Sequence, residues 1–91
     1  MGQGIDEHAI RQALLALAAA RGDGRSFCPS EVARALSDTW RPLMPEIRRV
    51  AAALQAEGRL MATQRGVPVQ IATARGPIRL AQPTGLRAPD R

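Results

Sequence analysis

Trp40-Arg41-Pro42-Leu43-Met44-Pro45-Glu46-Ile47-Arg48-Arg49-Val50-Ala51-Ala52-Ala53-Leu54-Gln55-Ala56-Glu57-Gly58 is the stretch that decides the fold. Pro42 or Pro45 pre-sets a helix start, because proline's fixed φ suits a first helical position and its missing N–H costs nothing there. Leu43, Ile47, Val50, Ala51 and Leu54 recur at three- and four-residue intervals, which gathers them within about 100° of one another on a helical wheel. Gly58 stands where a left-handed C-terminal cap belongs. The opposite side of the same helix carries Pro45, Arg48, Arg49, Ala52 and Ala56, two arginines among small side chains.

Upstream, Asp6 reads as an N-cap, followed by Ile10, Ala13, Leu14, Leu17 and Ala18 at the spacing of a one-faced helix. Gly22-Asp23-Gly24 ends that helix. Ser26-Phe27-Cys28 is a short extended piece, and Pro29 opens a second helix with Glu31 in its first turn and Val32, Ala33 and Leu36 as its apolar stripe. Ser37-Asp38-Thr39 closes it. Downstream, residues 59–65 read as a strand, 66–76 as a loop or extended hairpin tip, and 77–80 as a second strand with Ile78 and Leu80 on one face. The organisation expected is a flexible N-terminus over 1–4, a folded domain over 5–81 and a flexible tail over 82–91. The fold class is mainly α with a small β-hairpin: a winged helix-turn-helix of three helices, a short strand and a two-stranded wing.

Composition narrows the functions. The 91 residues contain one cysteine and one histidine, Cys28 and His8, which excludes an internal disulfide and leaves too few ligands for a zinc cluster. The apolar run from Ala13 to Ala20 falls well short of the roughly 20 residues that cross a bilayer. Met1-Gly2-Gln3-Gly4 lacks the basic and apolar blocks of a signal peptide, so the expected location is the cytoplasm. All thirteen basic residues are arginine. A G+C-rich coding sequence explains that choice, and the physical result is a set of planar forks suited to phosphate and guanine edges. Residues 1–40 hold four arginines against five acids, whereas residues 41–91 hold nine against three. Such asymmetry points to a polyanionic partner for the second half.

Ser26-Phe27-Cys28-Pro29-Ser30-Glu31-Val32-Ala33-Arg34, Trp40-Arg41-Pro42-Leu43-Met44 and Ala72-Thr73-Ala74-Arg75-Gly76-Pro77-Ile78-Arg79-Leu80 together resemble a family of short bacterial proteins catalogued only as a domain of unknown function. The resemblance runs from about Ile5 to Leu80, with Gln70-Ile71 departing from the family's Asp-Pro. It implies a winged-helix fold and names no ligand or reaction.

The candidate nucleic-acid contacts are Arg41, Arg48 and Arg49 around the third helix and Gln64, Arg65 and Arg75 in the wing. Arginines on a groove-facing helix reach phosphates and base edges. The competing reading makes Arg48 and Arg49 solvated helix charges, with Glu46–Arg49 as an i, i+3 pair. Val67, Val69 and Ile71 make the wing tip more apolar than a phosphate contact requires, so they fold back, form a partner or dimer surface, or enter a groove. Trp40 is expected in the core, and Cys28 is expected as a small buried residue without a basic neighbour. No acid, base and nucleophile set emerges, nor a phosphate-cradling glycine loop, metal site, cofactor or small-molecule substrate. The expected function is therefore binding: a small DNA-binding transcription regulator or, alternatively, a protein-interaction module working through the wing. RNA is a third partner to consider.

Overall fold

A computed structural model describes residues 5–83. The chain runs through helix α1 (Glu7–Arg21), helix α2 (Pro29–Leu36), a 3₁₀ turn (Arg41–Leu43), helix α3 (Met44–Ala56) and strands β1 (Met61–Gln64), β2 (Val67–Pro68) and β3 (Arg79–Ala81). Expectations for 1–4 and for the end of the tail lie outside the described residues.

Local chemistry sets the helix ends. The Asp6 carboxylate accepts the Ala9 N–H at 2.9 Å, which satisfies one of the orphan donors at the start of α1. Pro29 opens α2, and the Glu31 carboxylate reaches back to the Cys28 N–H at 3.0 Å. After α3, Gly58 takes φ +80°. Its N–H donates to Gln55 O while the Arg59 N–H donates to Leu54 O, both at 2.9 Å. That pair of bonds is a Schellman closure, at the position the glycine predicts.

The sheet has the order β2-β1-β3 and is antiparallel throughout. Phe27 extends it on the β3 side, exchanging 2.8 Å hydrogen bonds in both directions with Leu80. Ala62 pairs with Leu80, and both are buried. Side chains alternate along a strand, so the neighbouring partners Thr63 and Arg79 point to the outer sheet face. Ile10, Leu14, Phe27, Val32, Ile47, Val50, Leu54, Ile78 and Leu80 form one core between the three helices and the inner sheet face. Three helices with a small sheet and a short hairpin wing make an architecture compatible with a winged helix.

The structure decides one open reading and corrects two others. The segment 66–76 takes the extended-hairpin alternative: Val67-Pro68 pairs with β1, and a turn over 71–73 folds the chain back. Ile71 is consequently 3% exposed, its N–H bonded to Gln55 Oε1, so its side chain is core rather than surface. Burying its apolar side chain under α3 is favoured over leaving it in water. Val69 is half-buried against the core, while Val67 stays 60% exposed. Trp40 is only half-buried: it packs against the edge of the core, and the Arg34 and Arg41 guanidiniums stand over its ring at 4.7 and 4.5 Å. Cys28 is also half-buried and has a basic neighbour, Arg79. None of the described helices is long and apolar enough to cross a membrane.

Candidate nucleic-acid interface

The site is built from α3 and the wing. Four side chains on α3 can hydrogen-bond: Glu46, Arg48, Arg49 and Gln55. Arg48 donates to Gly76 O at 3.0 Å and to Ala74 O at 3.1 Å, so it ties the helix to the loop leading into β3. Arg49 donates to Glu46 Oε1 at 2.9 Å and to Glu7 Oε1 at 2.7 Å. Those bonds, Glu46 first and Glu7 second, hold the Arg49 guanidinium above its ordinary pKa, and Arg49 in turn holds Glu46 below the usual carboxylate range. Gln55 donates to Val69 O and accepts from the Ile71 N–H, each at 2.8 Å. The arginines expected to reach outward from α3 are thus engaged within the fold.

In the wing the arrangement differs. Arg65 and Gly66 form the two-residue turn between β1 and β2, with φ of +54° and +81°. Two left-handed residues give the type I′ geometry that matches strand twist. Arg65, Arg75 and Arg79 line one cleft on the outer sheet face, together with Cys28, Thr63 and Gln64. Arg79 is braced by Ser26 Oγ at 2.7 Å, Ser26 O at 3.1 Å and Cys28 Sγ at 3.1 Å. Gln64, expected as a direct contact, serves as a strut: its amide donates to Arg75 O at 2.6 Å and Pro77 O at 3.0 Å, fixing the segment that carries Arg75.

The four glutamates pair with other arginines, although Glu31, held by the Cys28 N–H, also feels the charge of Arg79. Arg11 makes a two-pronged contact with Glu57 at 2.9 and 2.6 Å, Arg21 pairs with Glu31, and Arg49 pairs with Glu7 and Glu46. Among the described residues, Arg34, Arg41, Arg65, Arg75 and Arg79 have no carboxylate within ion-pair distance. The chain has no acid at all between Glu57 and Asp90. Of the sequence candidates, the fold brings Gln64, Arg65 and Arg75 together, leaves Arg41 beside Trp40, and sets Arg48 and Arg49 apart as internal ties. Sequence reasoning missed Arg79, whose signal was its outward position between inward-facing Ile78 and Leu80. It also missed Arg34, which meets Trp40 only through the turn between α2 and α3.

Three helices, a three-stranded antiparallel sheet and a hairpin whose outer face is basic make a small, mainly α domain compatible with a winged helix. The chain belongs to the family described as "Protein of unknown function (DUF3253)", whose model matches residues 7–83, from the start of α1 to just past β3. No curated protein matches it.

Proposed function

We propose that the protein is a small DNA-binding regulator of the bacterial cytoplasm that holds duplex DNA by its phosphates, with binding rather than catalysis as its activity. The observation that carries this reading is the outer wing cleft, where Arg65, Arg75 and Arg79 converge with no carboxylate within ion-pair distance among the described residues. Guanidinium forks match phosphate geometry, and the rigid hairpin presents them together. Arg34 and Arg41, steadied on Trp40, add two further cations at the entry to α3.

Titration of a mixed-sequence duplex at low and moderate salt tests the reading. About four neutralised phosphates give log affinity a slope of roughly −4 against log salt. No salt-sensitive binding at micromolar protein overturns it, and preference for structured RNA in competition reassigns the partner.

A protein partner or a second copy of the chain is the alternative, favoured only by exposed Val67 beside the cleft. Under that reading Val67→Asp abolishes association, and Arg65→Ala with Arg75→Ala leaves it intact.

A further inference from the structure

Resting on the duplex-binding reading above, we infer that this protein grips DNA without reading its base sequence: α3 lies against the duplex as a spacer, and the wing supplies the hold. Base-edge recognition in the major groove needs side chains with free donors or acceptors on the helix that enters it, with arginine to guanine and asparagine or glutamine to adenine the strongest pairs. Between Met44 and Ala56 the candidates are Glu46, Arg48, Arg49 and Gln55, and every one is committed within the fold.

Releasing them for a base is unfavourable in each case. Arg49 freed from Glu46 and Glu7 leaves two carboxylates facing the phosphates. Arg48 freed from Ala74 and Gly76 unties the loop that holds Arg75 in the cleft. Gln55 freed leaves the Val69 carbonyl and Ile71 N–H without their partner under the helix. The rest of the outward surface of α3, Pro45, Ala52, Ala53 and Ala56, can touch thymine methyls but makes no hydrogen bond.

The cations off α3 are placed differently. Arg65 and Arg75 share the wing cleft with Arg79, which Ser26 and Cys28 brace, and Arg34 and Arg41 are stacked on Trp40. Phosphate contacts of this kind fix position on a duplex and carry no sequence information directly.

The test is selection from a random-sequence duplex pool with the full chain, followed by anisotropy titrations of AT-rich and GC-rich duplexes. The expected result is no enriched motif, affinities within about threefold of one another, and an equal salt dependence. Arg65→Glu with Arg75→Glu weakens every duplex alike by roughly tenfold or more, whereas Arg49→Ala with Glu46→Ala, which removes one charge of each sign, changes affinity less than about twofold. Both wing positions are exposed, and matched melting curves confirm that the variant folds; Arg65→Ala with Arg75→Ala supplies a milder second pair. An enriched motif preferred by tenfold or more overturns this inference and leaves DNA binding standing. Failure to bind any duplex overturns both.

Discussion

Arg48 donates to the backbone carbonyl of Gly76 from 3.0 Å, joining α3 to the wing across 28 positions of sequence. With its second bond to Ala74 O, the side chain acts as a hinge pin between the helix and the loop that presents Arg75. Arg48→Ala is therefore expected to cost about 1 kcal/mol of stability, the ordinary net worth of such hydrogen bonds when half-exposed. Urea denaturation measures that loss. Amide exchange at Ala74–Gly76 is expected to accelerate more than exchange in α1, which distinguishes a loosened wing from global weakening.

Arg49 is a cation held in reserve by Glu46 and Glu7. Neutralising both carboxylates, Glu46→Gln with Glu7→Gln, frees the guanidinium and removes two charges that repel phosphate. Affinity for mixed duplex is expected to rise about three- to tenfold, with a steeper salt dependence. Anisotropy titration of the double variant checks this. Unchanged affinity places the outward face of α3 away from the duplex.

Arg65 occupies a left-handed backbone conformation, φ +54°, at a turn position where asparagine is better tolerated. Arg65→Asn is expected to raise stability by up to about 1 kcal/mol and to weaken duplex binding. Opposite shifts in melting temperature and affinity identify a residue kept for contact at a cost in backbone strain.

Ile71 and Val67 lie four residues apart in the same segment and differ wholly in surroundings. Ile71→Asp places a charge in the core and is expected to cost about 3 kcal/mol or more, whereas Val67→Asp leaves the melting curve nearly unchanged. Thermal melts of the two variants separate a core role from a surface one.

Three carboxylates sit below their ordinary value of 4.5: Glu31 through the Cys28 N–H and then Arg21, Glu46 through Arg49, and Glu57 through Arg11. The unfolded chain takes up protons at these groups before the folded one does. Stability is accordingly flat above that value and falls as pH drops through the lowered folded-state values. Urea titrations from neutral pH to about pH 3 are expected to show this decline, with Glu31→Gln flattening it.

Sequence and fold agree where a single residue's chemistry decides the outcome. Asp6 caps, Pro29 starts, Gly58 stops, and the Ile47–Leu54 stripe faces the core, because each acts over one or two turns. β2 is legible only as one of two alternatives: 66–76 reads as loop or extended hairpin tip, Pro68 argues against a strand, and the tight turn depends on Arg65 adopting a conformation its type disfavours. The Glu46–Arg49 pair is visible as i, i+3 spacing, but Glu7 lies 42 positions away and Arg48's partners are backbone carbonyls that no periodicity reveals. The charge asymmetry marks the acid-free stretch that carries the wing arginines, but it does not reveal that Arg49 is engaged, since one of its acids, Glu7, comes from the first half and the other, Glu46, from the second.

The most direct test of the wing as the phosphate-binding surface is the salt dependence of mixed-duplex binding for the natural chain and for Arg65→Ala with Arg75→Ala. Each lost phosphate contact removes about 0.9 from the slope of log affinity against log salt, so the pair is expected to flatten it by roughly 2. An unchanged slope with full affinity would contradict the account and place the DNA, if bound, on another face.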